Sequence, residues 1–162
     1  MKGVQQLSSM ITAIRMGDLA VSANDGVLRT LLGSCIGLAL YDRSHKVGGL
    51  AHIVLPQSRS PRDPPGKFVD TAVPALCAEM ETLAGRSLKP TARIAGGANM
   101  FSTNVIQTVG AQNLEAIEKL LGELRIPLVG RHCGGEQGRR MSLDTTTGVI
   151  TIEVVGSEPI EL

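Results

Sequence analysis

The chain has very few aromatic residues: among its 162 residues it contains no tryptophan, one tyrosine and two phenylalanines. Proteins that bind single-stranded nucleic acids stack the bases on aromatic side chains, so this composition argues against that class. The formal net charge of +1 is also too small to give a basic surface for DNA, RNA or an anionic membrane. Since hydrophobic residues still make up 43% of the chain, we expect one domain with an aliphatic core and no nucleic-acid partner.

Closely spaced cysteine pairs and long apolar runs are also absent. The three cysteines, Cys35, Cys77 and Cys133, lie far apart, which argues against a zinc cluster and against a disulfide framework. No apolar run approaches the roughly 18 residues that a membrane span needs, and the first residues lack a signal-peptide core. We therefore expect a cytoplasmic protein with reduced thiols and no membrane insertion.

Strand patterns outnumber helical patterns along the chain. Strands are predicted at residues 18–22, 27–32, 91–95, 127–132, 139–143 and 149–155, with a hairpin over 36–54. Helices are predicted from Val69 to a stop at Gly85, with Pro74 near the first turn, and over 113–124. The proline-rich segment 57–67 predicts a loop. This order favours an α+β fold, a layered sandwich of mixed or antiparallel β-sheet with two or three flanking helices.

The hairpin over 36–54 brings a thiol and an imidazole together. Placing Cys35 opposite His52 also places Tyr41 opposite Lys46 and leaves residues 42–45 as a four-residue turn. Residues directly opposite one another have Cβ atoms roughly 4.5–5.5 Å apart, which is close enough for a thiol–imidazole hydrogen bond. The pattern therefore predicts a nucleophile and its base on neighbouring strands.

Each of these residues also has a purely structural interpretation. A free cysteine is most often a small buried hydrophobe, and a single histidine in an apolar strand is often only a satisfied core residue. The setting of Cys35 favours a reactive thiol, because Gly33, Ser34 and Gly37 leave the backbone around it bare and open to a substrate. Backbone N–H groups near Gly33 and Ser34 can then stabilise an oxyanion.

The other candidates favour plainer roles. Cys77 lies on the apolar stripe of the first predicted helix and is interpreted as a core residue, and His45 as a solvated turn residue. Cys133 follows His132, but adjacent strand residues point to opposite faces. His45 and His52 lack the spacing of a zinc site, so no metal is expected. The glycine-rich segments 96–101 and 134–140 lack a phosphate-binding signature and are interpreted as close-packed loops near the site.

Five blocks in the chain resemble the CheD family of bacterial chemotaxis proteins, which deamidate receptor glutamines. The blocks are Leu32-Gly33-Ser34-Cys35, Gly48-Gly49-Leu50-Ala51-His52-Ile53-Val54-Leu55-Pro56, Gly96-Gly97-Ala98-Asn99-Met100-Phe101, Gly110 with Asn113, and Gly134-Gly135 through Gly138-Arg139-Arg140. They occur in family order across nearly the whole chain. The resemblance places one deamidase domain at residues 17–156, between a lead-in at 1–16 and a tail at 157–162.

The resemblance implies a cysteine-hydrolase fold similar to that of the cytotoxic necrotizing factor toxins. It implies that Cys35 is the nucleophile, His52 the base and Thr30 the third member of a triad, with no cofactor. The implied activity is that of a protein-glutamine glutaminase acting on methyl-accepting chemotaxis receptors, with a possible minor methylesterase activity. A CheC-type phosphatase is an implied partner, and Asn99 and Phe101 are candidates for contacts with a partner or substrate.

Two other functions remain open at this stage. The same cysteine and histidine pair is compatible with a cysteine peptidase, in which the thiolate attacks the backbone instead of a side-chain amide. The chain is also compatible with a non-catalytic adaptor that stimulates a CheC-type phosphatase and keeps Cys35 as a vestige. Deamidation of receptor fragments, their cleavage, or their survival intact distinguishes the three functions.

Overall fold

The computed structural model of the protein describes residues 10–100 and 108–162. The elements follow one another in this order: β1 (Met10–Ala13), β2 (Leu19–Ala23), β3 (Gly26–Leu32), β4 (Ile36–Asp42), β5 (Val47–Ile53), a 3-10 turn (Pro65–Lys67), α1 (Val69–Ala84), β6 (Thr91–Gly96), α2 (Val109–Glu123), β7 (Leu128–Cys133), β8 (Arg139–Asp144), β9 (Ile150–Glu153) and β10 (Ile160–Glu161). The predicted α+β class is confirmed.

The strands form two mixed sheets. Sheet A has the order β1-β3-β8-β9-β10, and sheet B has the order β2-β5-β4-β6-β7. Pairing is antiparallel within both sheets except for β1 with β3 and β6 with β7, which are parallel. The hairpin β8–β9 is the predicted last pair of strands. The strands β2 and β3 are joined by Asn24 and Asp25 alone, but they belong to different sheets.

Two apolar layers hold these elements together. One layer lies between sheet B and the two helices, and it combines Leu38 and Ile94 of the sheet with Leu76 of α1 and Ile117 of α2. The other layer lies between the sheets and contains side chains such as Leu28, Leu50 and Met141. Sheet B is therefore covered on both faces, and every residue of β4 and β5 is buried. The fully buried large side chains are Leu, Ile and Met, as the composition predicts.

Each helix has one recognisable cap. Helix α1 ends at Gly85, which adopts the left-handed conformation and closes the helix with a bond to the Glu81 carbonyl. Pro74 is the sixth residue of this helix, just after its first turn. Helix α2 begins four residues earlier than predicted, because the Thr108 side chain accepts a hydrogen bond from the Ala111 N–H. No helix in residues 10–100 or 108–162 has the length and apolarity that a bilayer crossing requires.

The predicted hairpin exists, but its predicted register is wrong by two residues. The residue opposite His52 is Gly37 rather than Cys35, and the turn comprises residues 43–46. Part of the reason is local: Lys46 adopts a left-handed conformation at φ 53°, and Asp42 stays in the ladder opposite Val47. Because the displacement is even, it preserves the face on which each side chain lies.

The outermost strands of sheet A come from the ends of the chain. Strand β1 pairs with β3, although residues 1–16 carry no clear strand signal. Strand β10 pairs with β9 through only two residues. Both are edge strands, and edge strands depend on a partner that sequence periodicity does not reveal.

Candidate active site

His52 lies near the end of β5 with its side chain between the two sheets. The residue is 4% exposed. Two hydrogen bonds to the segment before β2 hold its backbone. The Gly17 N–H donates to the His52 carbonyl and the His52 N–H donates to the Asp18 carbonyl, each at 2.9 Å. A buried strand and its backbone hydrogen bonds thus set the position of the ring.

Thr30 supplies the hydrogen bond that orients this ring. Its Oγ1 lies 2.7 Å from Nδ1 of His52 and donates its own proton to the Ile14 carbonyl at 2.8 Å. A hydroxyl has one proton, and a carbonyl can only accept, so the hydroxyl must accept at the histidine. Nδ1 therefore carries the ring proton in the neutral imidazole, and Nε2 carries the lone pair.

The lone pair on Nε2 has no partner among the described residues, although the atom is buried. Burial lowers the pKa of His52, and the negative charge of Asp18 opposes part of that effect. The imidazole is therefore neutral at neutral pH. A neutral imidazole whose Nε2 lone pair is unpaired can accept a proton and so can act as a general base.

Cys35 lies in a short loop just before β4, outside the β4–β5 ladder. Its carbonyl accepts the Gly97 N–H at 2.9 Å, and the Gly33 carbonyl accepts the Ala98 N–H at 3.0 Å. The residue is 9% exposed, and burial raises the pKa of its thiol. The thiol is therefore protonated at neutral pH and needs a base before it can attack.

Cys35 does not pair with His52 in the β4–β5 ladder, because the residue opposite His52 is Gly37, two positions further along. Continuing the alternation of β4 back by one residue puts Cys35 on the same face as Gly37 and His52. Diagonal positions are roughly 7–8 Å apart across a sheet, within the combined reach of a cysteine and a histidine side chain. The structure has no thiol–imidazole hydrogen bond, since Nε2 is unpaired.

Glycines allow three backbone segments to approach one another around Cys35. Gly96 adopts φ 106°, and a Cβ at this position would collide with the Cys35 carbonyl oxygen. A Cβ on Gly110 of α2 would lie 2.9 Å from Cα of Gly97 and 3.2 Å from the Ser34 carbonyl oxygen. The segment 96–98 and the start of α2 thus hold the cysteine loop by direct backbone contact.

The second glycine-rich loop is held by the buried Arg139. Its guanidinium donates to Nδ1 of His132 at 2.8 Å, to the His132 carbonyl at 2.6 Å, and to the Gly134 carbonyl. This loop in turn accepts the Asn99 N–H at the Gly135 carbonyl, at 2.8 Å. Asn99 is thereby fixed through its backbone, directly after the segment that holds the cysteine loop.

The remaining candidate residues lie elsewhere. The partly buried Cys77 and Cys133 both pack against the core between sheet B and the helices. For Cys77 this confirms the predicted core role. His45 lies in the β4–β5 turn, where its Nδ1 is 3.1 Å from the Asp42 carboxylate. Phe101 lies outside the described residues.

A groove of about 900 Å³ adjoins the cysteine loop at Gly33. Its lining includes the exposed side chains of Leu31, Met100 and Val155, together with the ion pair between Arg140 and Glu153. A substrate segment that reaches Cys35 has room to lie along this surface.

Two further groups near the site were not among the predicted site residues. The Ile14 carbonyl, which accepts the Thr30 proton, is a backbone atom and leaves no trace in the sequence. Asn113 is fully buried on α2 and donates from Nδ2 to the Val54 carbonyl at 2.9 Å. Its signal is present in the sequence: an amide stands in the same apolar stripe as Ile117 and Leu121, at four-residue spacing.

Comparisons with known proteins agree on one family. The family model described as "CheD chemotactic sensory transduction" matches residues 54–154. A protein of Methanococcus vannielii named "Probable chemoreceptor glutamine deamidase CheD" is 43% identical over 145 residues, which are 88% of this chain and 94% of the relative. A protein of Clostridium botulinum with the same name is 40% identical over 159 residues, 93% of this chain and 98% of the relative. The chain therefore belongs to the CheD family.

Proposed function

We propose that this protein hydrolyses the side-chain amide of specific glutamines on chemoreceptors, converting them to glutamate. The relatives named as chemoreceptor glutamine deamidases support the substrate. The observation that carries the chemistry is the hydrogen bond from Nδ1 of His52 to Thr30, which leaves Nε2 unpaired on the face that Cys35 shares. A glutamate in place of a glutamine adds a negative charge to the receptor, which changes its packing and its signalling.

The first half of the reaction forms a thioester. Nε2 of His52 takes the proton of the Cys35 thiol, and the sulfur attacks the carboxamide carbon of the glutamine. The tetrahedral intermediate collapses when its C–N bond breaks, and the imidazolium donates its proton to the leaving nitrogen, which departs as ammonia. The Thr30 hydroxyl holds the ring in one tautomer while the proton passes through Nε2. No cofactor or metal takes part in these steps.

The second half of the reaction releases glutamate. His52 takes a proton from water, the resulting hydroxide attacks the thioester carbon, and the C–S bond breaks. The cysteine leaves as a thiolate and is protonated by the imidazolium. A glutamyl methyl ester can form the same thioester with loss of methanol, so a minor methylesterase activity fits this mechanism.

Backbone amides of the cysteine loop are suited to hold the oxyanion. The carbonyls of Gly33 and Cys35 are engaged by the segment 97–98, whereas the N–H groups of Ser34 and Cys35 have no acceptor among the described residues. An N–H group that is fixed and unpaired beside the nucleophile can stabilise the charge that develops on the substrate oxygen. This arrangement supports a role for Gly33 and Ser34 through their backbone.

The proposal extends to the surroundings of the site. The groove beside Gly33 seats the receptor segment, with Asn99 and Phe101 as contacts for the substrate or for a CheC-type partner. Residues 17–156 form most of the catalytic domain, which β1, Ile14 and β10 complete, with the layered architecture of the cytotoxic necrotizing factor-type cysteine hydrolases. A cytoplasmic location suits the chemistry, because the nucleophile must stay a free thiol.

Incubation with purified receptor fragments tests the proposal. We expect the wild-type protein to release ammonia and to convert single glutamines to glutamates, as detected by mass spectrometry of the digested receptor. Cys35→Ala should abolish this conversion while leaving the circular dichroism spectrum unchanged, and His52→Ala should reduce it to a similar extent.

Other outcomes identify the alternatives. Two receptor fragments separated by a cut peptide bond would indicate a peptidase. Intact glutamines together with tight binding of a CheC-type phosphatase would indicate an adaptor. Deamidation that persists in Cys35→Ala would refute the mechanism.

A further inference from the structure

Asn113 is a polar residue on the buried face of α2. It occupies the first buried position of the stripe that continues with Ile117 and Leu121, and all three are essentially inaccessible to solvent. Only its Nδ2 has a hydrogen-bond partner among the described residues, and the buried Oδ1 has none. A leucine at this position would pack against sheet B without leaving a polar atom unpaired, so packing alone does not explain the amide.

The acceptor of the Asn113 amide is the carbonyl of Val54, the first residue after β5. The β4–β5 ladder ends at Ile53, so Val54 lies beyond it. The Val54 N–H bonds to the Lys67 carbonyl at 2.8 Å, on the side of β5 away from β4. Nδ2 of Asn113 bonds to the Val54 carbonyl at 2.9 Å.

The same end of α2 contacts the other side of the site. Gly110, one turn earlier, packs against the Ser34 carbonyl and against Gly97 with no space for a side chain. The first turns of α2 thus contact the cysteine loop through Gly110 and the strand of His52 through Asn113. One rigid helix spans the gap between the nucleophile and the base.

From this geometry we propose that Asn113 is a positioning residue for the reaction, which sets the separation between Cys35 and His52 by fixing Val54. The inference rests on the proposed function, since it assigns Asn113 to that cysteine and histidine pair. Asn113 touches neither the thiol nor the ring. It acts through Ile53, the single residue of backbone that joins Val54 to His52.

Two variants test this role. Asn113→Leu removes both polar atoms at similar volume, and Asn113→Asp keeps the shape but replaces the donor with an acceptor that repels the Val54 carbonyl. We expect kcat on receptor fragments to fall by about 10- to 100-fold in both, with KM within about twofold of wild type, because a small misplacement of reacting groups slows the chemical step. Ile117→Ala is the matched control, since it opens a cavity in the same stripe; it should lower Tm while kcat remains within about twofold.

A second measurement is independent of receptor turnover. Iodoacetamide alkylates the Cys35 thiolate, and its rate against pH reports how well His52 assists the thiol. We expect His52→Ala and Asn113→Leu both to slow alkylation near neutral pH, whereas Ile117→Ala leaves the pH profile unchanged. These rates remain informative even if wild-type protein fails to deamidate receptors, a result that would refute the proposed function and not this inference.

The inference is overturned by either of two results. One is an Asn113→Leu protein whose kcat and alkylation profile both lie within twofold of wild type. The other is an Ile117→Ala protein that loses as much of both as Asn113→Leu at an equal loss of Tm. If Asn113→Leu does not fold, the same comparisons are made with Asn113→Asp.

Discussion

The Thr30 hydroxyl accepts a hydrogen bond from Nδ1 of His52 at 2.7 Å and donates one to the Ile14 carbonyl at 2.8 Å. The chain of donors has one direction, from the ring to the hydroxyl to the backbone. Only this direction leaves the lone pair on Nε2. A carboxylate, the usual partner of a catalytic histidine, would also stabilise the imidazolium, whereas a neutral hydroxyl orients the ring and leaves its pKa low.

Removing this hydroxyl should slow the reaction without abolishing it. We expect Thr30→Val to lower kcat by about 10- to 100-fold, which is part of the roughly 100- to 10,000-fold that a positioned base contributes. The reason is that Nδ1 loses its acceptor, so both tautomers of His52 become populated. Thr30→Ser, which keeps the hydroxyl, is the control. Equal steady-state rates for the valine and serine variants would contradict the assigned role.

The low pKa of His52 predicts a wide pH range for activity. Burial lowers this pKa below the ordinary value of about 6.5, so the imidazole stays in its basic form as the pH falls through that value. We expect kcat/KM on receptor fragments to hold steady from neutral pH down to about 6.5 and to decline only below it. A decline that begins above pH 7 would mean that the base is protonated more easily than its burial allows.

Asp18 gives this pH profile a second test. Its negative charge raises the pKa of His52, so Asp18→Asn should move the acidic decline of kcat/KM to still lower pH. The backbone carbonyl that accepts the His52 N–H is retained in this variant. Since the Asp18 side chain is half exposed, the shift should shrink as salt is added. Asp25→Asn, at the exposed turn between β2 and β3, is the control and should leave the profile unchanged.

Local sequence signals predicted the two strands of this site better than they predicted the register between those strands. Apolar residues in β4 and β5 indicated two buried neighbouring strands, and the connection was short enough to indicate a hairpin. The register was wrong because the Asp42 carboxylate accepts the backbone N–H groups of both His45 and Lys89. The bond to Lys89 spans 47 positions, so no pattern within the hairpin can reveal it.

Some groups of the site left a signal in the sequence, and others did not. The glycines around Cys35 indicated a loop of bare backbone that other segments approach closely, because such a backbone leaves a trace in residue type. The carbonyls of Ile14 and Val54 left none, since any residue supplies a carbonyl. The start of α2 was missed for a related reason: Thr108 is an ordinary N-cap residue, but the helical stripe becomes apolar only from Leu114 onward.

Arg139 should be important for stability through its loop. We expect Arg139→Lys to lower the free energy of unfolding by about 2–4 kcal/mol, because one ammonium cannot replace a guanidinium that bonds to His132 and to the Gly134 and Gln137 carbonyls. Urea denaturation measures this loss. Arg140→Lys is the matched control, and it should cost much less because its pair with Glu153 is exposed to solvent. Equal losses in the two variants would show that the buried contacts contribute nothing beyond charge.

Helix α2 contains two glycines, and only Gly110 lies against the cysteine loop. The same substitution at Gly110 and at Gly122 therefore tests that contact. In a helix, alanine is favoured over glycine by about 1 kcal/mol. Gly122 is exposed, and a Cβ there would meet no atom within 4 Å, so Gly122→Ala should stabilise the protein by up to that amount. A Cβ at Gly110 would press on Gly97 and Ser34, and both contacts are with backbone that cannot rotate away.

Gly110→Ala should therefore destabilise the protein in spite of its better helix propensity. We expect a loss of about 1–3 kcal/mol in urea denaturation, the range seen when a methyl group is forced into a packed site. The collision is at the segment that holds Cys35, so kcat should fall as well, while Gly122→Ala keeps wild-type kcat. If Gly110→Ala were as stable and as active as Gly122→Ala, α2 would not touch the cysteine loop in solution, and the positioning role of the helix would be lost with that contact.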